Sequence, residues 1–230
     1  MRSKKIVLLL LLAAGLLMPG PVFCEEMQVS VLKIDDFDGK VMFNLLGGKT
    51  QGYEEAGIKC IPSFTDDPKE RYGDKGASLK LDFDVTKRGS FAFYWTMLTV
   101  KKNIEVEGRN VEVISFAALR GHDFLEFQFK DPKGGADFTI EVHEDADSDG
   151  VYMMGVDRSS MVNADPYIDR TAAGKWQKIS IPLIKFANIK DWDRILEIVF
   201  VFKSGYGIPK GTVYLDDLEL VKYPKEEPSQ

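Results

Sequence analysis

Sulfur and imidazole are scarce in this chain. Of 230 residues, two are cysteine (Cys24 and Cys60) and two are histidine (His122 and His143). So few ligands, so far apart, form none of the paired Cys or His spacings of a zinc or iron–sulfur site. Also missing are a Gly-x-Ser-x-Gly elbow and a Gly-rich phosphate loop, which removes the commonest hydrolase and nucleotide-binding signatures. Beyond the first 24 residues no stretch repeats apolar residues at helical spacing. Basic residues are the minority, 30 against 36 acidic, for a net charge of −6. Such a surface disfavours polyanions, so neither nucleic acid nor an anionic membrane is an expected partner.

The N-terminus is a segment apart. Arg2, Lys4 and Lys5 precede the apolar run Ile6 to Met18, and Pro19-Gly20-Pro21 breaks it. This is the pattern of a secretory signal peptide over residues 1–24, with cleavage after Cys24 preferred. The run is short for a bilayer span. The expected location is therefore periplasmic or secreted; lipid anchoring at Cys24 is the alternative, disfavoured by the Phe23 before it. Removal of three basic residues with the leader takes the charge to −9 and leaves Cys60 alone. No intrachain disulfide can then form, and Cys60 is read as a structural thiol. The remaining length suits one domain over 25–223, expected to be a monomer, with a disordered tail at 224–230.

Short β-like segments fill that domain. Leu79, Leu81, Phe83 and Val85 alternate with Lys80, Asp82, Asp84 and Thr86, the pattern of a strand with one buried and one wet face. Phe91 to Thr99 is apolar or aromatic on both faces, so one side is expected to meet the core and the other to line a groove. Further strands are expected at 25–34, 111–119, 123–129, 138–143, 151–156, 176–183, 195–202 and 211–220, eight to ten in all. Residues 44–76, interrupted by glycines and prolines, read as one long irregular excursion. The economical architecture is all-β: an antiparallel β-sandwich of jelly-roll type.

Five stretches add a resemblance: Ile34-Asp35-Asp36-Phe37-Asp38-Gly39, Asn44-Leu45-Leu46-Gly47-Gly48, Gly76-Ala77-Ser78-Leu79-Lys80-Leu81, Trp176-Gln177-Lys178-Ile179-Ser180-Ile181-Pro182-Leu183 and Gly211-Thr212-Val213-Tyr214-Leu215-Asp216-Asp217-Leu218-Glu219-Leu220. Together they resemble the galactose-binding-like β-jelly-roll domains, among them non-catalytic bacterial carbohydrate-binding modules. The complex I intermediate-associated protein family is similar at its termini. The resemblance implies binding or assembly, with a structural calcium between the first and last strands. It assigns Asp38 and Asp217 as calcium ligands, with Lys75, Gly76 and Ser78 offering further oxygens. Alternation in the last strand breaks at Asp216-Asp217, where a bulge is expected.

The function expected is that of a non-catalytic module of an exported protein, binding carbohydrate or polysaccharide on a concave sheet face. Sugars are held by stacking on aromatic faces, with polar groups fixing the hydroxyls. Candidate ligand-binding residues are Tyr53, Tyr94, Trp95, Tyr152 and Trp192, with Tyr167 beside them; Trp176 reads as core. Two alternatives stand: an assembly factor that meets an envelope protein partner, and a glycan-acting hydrolase using Glu141, His143 and Asp145 on one strand face. Asp145-Ala146-Asp147-Ser148-Asp149-Gly150 resembles half an EF-hand, but position 12 would be Val156. A hairpin turn is the favoured reading there, with a second calcium as the alternative.

Overall fold

The structure, a computed structural model, describes residues 29–224. The predicted signal peptide, Cys24 and all but the first residue of the predicted tail lie outside that range.

Thirteen strands form the fold: β1 (Ser30–Asp35), β2 (Thr50–Glu55), β3 (Ile58–Thr65), β4 (Ser78–Asp84), β5 (Phe91–Met97), β6 (Thr99–Val106), β7 (Arg109–Phe116), β8 (Phe124–Lys130), β9 (Thr139–Glu144), β10 (Arg158–Asn163), β11 (Gln177–Pro182), β12 (Ile195–Lys203) and β13 (Lys210–Lys222). One sheet runs β10-β9-β12-β5-β2 and the other β3-β4-β13-β8-β11, with β1 also paired to β13; the hairpin β2-β3 joins them. Every ladder pairing between these strands is antiparallel. This is the all-β sandwich expected of the alternating pattern.

The two sheets meet through the inward residues of each strand. Phe83 and Phe202 stack across the sandwich with centroids 4.2 Å apart, and Phe138 packs against Phe127, Phe129, Phe200 and Phe202. Each such ring removed from water contributes about 2 kcal/mol, which is what holds two sheets together without a disulfide. Cys60 is one of these core residues, fully buried and unpaired; burial drives its thiol pKa upward, so it is not a reactive thiolate.

Several expectations change. Residues 44–76 are not one irregular excursion, because β2 and β3 lie within them. Periodicity hid β2, which carries Gly52 where the chain passes from one sheet to the other. Thr50 to Gly52 pair with β5, and Tyr53 to Glu55 pair with β3. A Cβ at Gly52 would run into the Cys60 carbonyl and the Pro62 ring, so the corner needs glycine. Pro62 is tolerated because β2 pairs with β3 only through Ile58 to Cys60. Residues 151–156 are not the hairpin partner of β9; that partner is β10, and the residues between form a long connection. β6 and β7 form a separate two-stranded ribbon. Trp176 is not in the core either. It is half-buried on the outside of the second sheet, where its indole N–H donates to the Arg71 carbonyl at 2.9 Å and pins residues 66–76 over Tyr214.

A groove on the outward face of the first sheet

The alternation of β5 decides what its aromatics do. Ala92, Tyr94 and Thr96 point into the sandwich, whereas Phe91, Phe93, Trp95 and Met97 point outward, half-buried or exposed. Tyr94 is therefore no ligand platform. It is only 1% exposed and packs near Phe200. Neighbouring residues of a strand face opposite sides, so Tyr94 and Trp95 cannot both line one surface.

Across the sheet the outward residues meet in a groove of about 460 Å³. Phe91, Phe93 and Trp95 from β5 supply one side. Glu197, Val199, Val201 and Lys203 from β12 supply the floor, Glu141 and His143 from β9 follow, and Tyr152 comes from the β9–β10 connection. Tyr53 extends the aromatic strip by stacking on Phe93 with centroids 4.8 Å apart.

A charged chain crosses the floor. His143 Nδ1 donates to Glu197 Oε1 at 2.8 Å, His143 Nε2 lies 3.6 Å from Glu141 Oε2, and Lys203 Nζ donates to Glu141 Oε1 at 3.2 Å. Burial opposes a charge on His143, but the two carboxylates outweigh it and hold the imidazole up to about 9. Glu141 is held below the ordinary carboxylate range by the hydrogen bond from His143, with Lys203 helping against burial. A glycosidase acid needs the opposite shift. Asp145 is separated from this pair: it is fully buried and accepts from the Ser148 and Gly150 amides, so the three residues do not share a strand face. The resulting groove offers flat apolar surface beside fixed acceptors and one Lys donor; the sequence pattern brings out Glu141 and His143 but not Glu197 and Lys203, which meet them only across the pairing of two strands far apart in sequence.

The remaining candidates lie elsewhere. Trp192 sits edge-on to Phe186 and borders a separate recess with His122, Phe124 and Tyr223, because its short 3-10 turn precedes β12. Tyr167 is partly buried against the core. Asp145, Asp147 and Asp149 lie close enough to share an ion, in the β9–β10 connection.

The expected calcium ligands do gather. Asp38, Lys75 and Asp217 border one recess with Asp36, Tyr72 and Asp216. The bulge expected in the last strand is present: the β13–β8 register shifts between Asp216 and Glu219, and Asp217 has φ +44°. Two assignments change. Asp217 is paired with Lys33 at 2.9 Å, and the Ser78 hydroxyl is spent on Asp216 and on the Tyr72 amide. Asp216 is the better donor, since it is 5% exposed and burial pushes its carboxyl up to about 7. Gly76, at φ +88°, leaves room that a Cβ would take from the Asp38 carboxylate. A buried acid without a cationic partner, beside a second carboxylate, fits a hard cation.

A disulfide-free antiparallel sandwich with an open aromatic and carboxylate-lined groove is the build of a carbohydrate-binding module. The family profile of carbohydrate binding domain 30 matches residues 50–222, and the chain belongs to that family. Among solved structures, the chain is similar to the family 30 carbohydrate-binding module of the cellulosomal cellulase Cel9D-Cel44B of Clostridium thermocellum. Identity is 20%, over 84% of this chain and 98% of that one, with a TM-score of 0.53. It is also similar to the family 11 module from Clostridium thermocellum in complex with a β-1,3-1,4-mixed-linked tetrasaccharide, at 14% identity over 86% and 98% of the chains, with a TM-score of 0.54. No curated protein matches the chain.

Proposed function

We propose that this module binds its glycan in the groove on the outward face of the first sheet. Phe93 and Trp95 stack on sugar rings, with Phe91, Tyr53 and Tyr152 extending the contact, while Glu197, Glu141 and Lys203 hydrogen-bond the hydroxyls. The observation that carries this reading is the pairing, in one open groove of about 460 Å³, of an uncovered aromatic strip with a charged floor. Pyranoses present the matching chemistry, an apolar face and an equatorial hydroxyl rim. The β-1,3-1,4-linked tetrasaccharide carried by the family 11 module is the first ligand to test. Isothermal titration of the full chain with it, and a glycan array beside it, are expected to give binding that Trp95→Ala removes. A folded protein that binds no glycan would overturn the reading.

The signal-peptide pattern of residues 1–24 supports export of the module. The recess between Asp38 and Asp216 supports a structural calcium, held by those two carboxylates and neighbouring oxygens of residues 72–75. Such an ion would neutralise a buried acid and tie the last strand to the segment after the first.

A further inference from the structure

A second recess, of about 540 Å³, opens at one end of the sandwich and shares no lining residue with the groove. His122, Asp123 and Phe124 line it from the start of β8, Pro182 from the end of β11, Tyr223 from just after β13, and Trp192 from the 3-10 turn before β12. Its three rings are held in place. Asp191 and Asp193 flank Trp192 and both bind Arg120, at 2.8 and 3.0 Å, while the indole meets Phe186 edge-on. Phe124 and Tyr223 pack edge-to-face with centroids 5.5 Å apart, and the Tyr223 hydroxyl donates to Glu126 at 3.0 Å. Phe124 and Trp192 are nonetheless only half-buried, and Tyr223 is exposed. Two polar groups beside the rings have bonding capacity left over. His122 Nδ1 donates to the Leu119 carbonyl at 2.9 Å, which leaves Nε2 for a ligand. Asp123 pairs its backbone with Val221 and Leu183, but among the described residues its half-buried carboxylate has no hydrogen-bond or cationic partner. Such a carboxylate costs stability and contributes nothing to the fold that holds it.

We propose that this recess is a second, weaker glycan site, in which a pyranose lies against Trp192, Phe124 and Tyr223 while the Asp123 carboxylate and His122 Nε2 take its hydroxyls. The inference rests on the glycan-binding reading of the module and not on the geometry of the groove. Flat rings beside two free polar groups match a sugar's apolar face and hydroxyl rim. An unpaired acid on the wall argues against an anionic occupant and against a wholly apolar one, since the first is repelled and the second leaves the carboxylate unsatisfied. The site is the weaker of the two because two polar groups stand here against Glu141, Glu197 and Lys203 in the groove. On a polysaccharide the two sites engage separate stretches of polymer, and retention then exceeds what the groove alone provides.

The chain's three tryptophans give one indole N–H signal each for the groove (Trp95), the covered cluster (Trp176) and the recess (Trp192). The full chain is titrated with the mixed-linkage tetrasaccharide and the three signals are followed by NMR. Trp95 should respond first, Trp192 should respond and saturate at concentrations about a hundred-fold higher, and Trp176 should stay fixed. In Trp95→Ala the Trp192 response should persist. Asp123→Ala, which loses no side-chain partner within the fold, should weaken the Trp192 response about ten-fold and leave that of Trp95 unchanged. Retention on the mixed-linkage polymer should fall several-fold in the same variant although its groove binds the tetrasaccharide as before. A Trp192 signal that stays fixed while Trp95 responds would overturn the second site alone and leave the recess to a protein partner. A Trp192 response unaltered by Asp123→Ala would overturn it as well. Should Trp192 respond while Trp95 does not, the groove reading falls and the recess stands; should neither respond, both fall.

Discussion

Two aromatic clusters lie on the outside of this sandwich, one on each sheet, and only one of them is open. On the second sheet Trp176 and Tyr214 lie beneath residues 66–76, whose Tyr72 packs edge-on against Trp176. The Arg71 backbone carbonyl accepts from the indole, Glu70 accepts from the Tyr214 hydroxyl, and Lys130 lies over both Trp176 and Tyr214. On the first sheet Phe91, Phe93 and Trp95 have nothing laid across them, and their polar neighbours bond to one another across the floor. Composition does not separate the clusters. What separates them is whether the chain spends a loop to cover the rings, and a covered cluster contributes stability where an open one is free to bind.

Reciprocal substitutions test that contrast with the largest expected effect. Trp95→Ala should cost about 3 kcal/mol of glycan binding, more than a hundred-fold, and leave the melting temperature nearly unchanged. Trp176→Ala should leave affinity intact and cost about 3 kcal/mol of stability, by lost packing and by loosening residues 66–76. Titration calorimetry and thermal unfolding on both variants measure the pair. Equal loss of affinity in the two would erase the distinction.

The next effect comes from the charged floor, which has no counterpart beneath Trp176. His143 is raised from 6.5 to about 9 in the fold, so its contribution to stability is complete below pH 6.5 and disappears as pH rises through 9. On the order of 2 kcal/mol should be lost between pH 6.5 and 10 in urea unfolding, and His143→Gln should flatten that decline. A wild-type stability that holds level across the window would contradict the ion-pair account.

How much of this was legible in sequence depends on the range of the cause. The alternation in β4 and the apolar run of β12 announced strands because the signal is local and the period is two. The break at Asp216-Asp217 announced its bulge for the same reason. The β2-β3 corner gave no such signal, since Gly52 reads as a loop residue until the Cys60 carbonyl is seen to crowd it. The aromatic strand was found, but its two faces were not assigned, and that choice decides between Tyr94 and Trp95. Glu197 and Lys203 join Glu141 and His143 only through the β9-β12 pairing, which no window of sequence contains.

A smaller effect distinguishes the two acids at the last-strand bulge. If a cation ties β13 to the segment after β1, it is Asp216 that carries it, because Asp217 already has Lys33. Calcium at ten times its dissociation constant should stabilise the chain by about 1.4 kcal/mol, a rise of roughly 3–6 °C at this chain length. Chelation should reverse the rise. Asp216→Asn should abolish the difference and Asp217→Asn should preserve most of it, with glycan affinity unaffected in both since the recess lies on the other sheet. A melting curve indifferent to calcium and chelator would remove the ion.

The smallest effect sharpens the comparison within a single strand. Tyr94 and Trp95 are adjacent, yet one belongs to the core and the other to the groove. Tyr94→Phe keeps the ring near Phe200 and removes only a buried hydroxyl, so its cost should be about 1 kcal/mol of stability or less. Glycan affinity should stay within error of wild type, because no atom of that side chain reaches the outward face. Should Tyr94→Phe weaken binding as Trp95→Ala does, the division of β5 into an inner and an outer face would not be what sets binding, and the aromatic strip would have to act through the core beneath it.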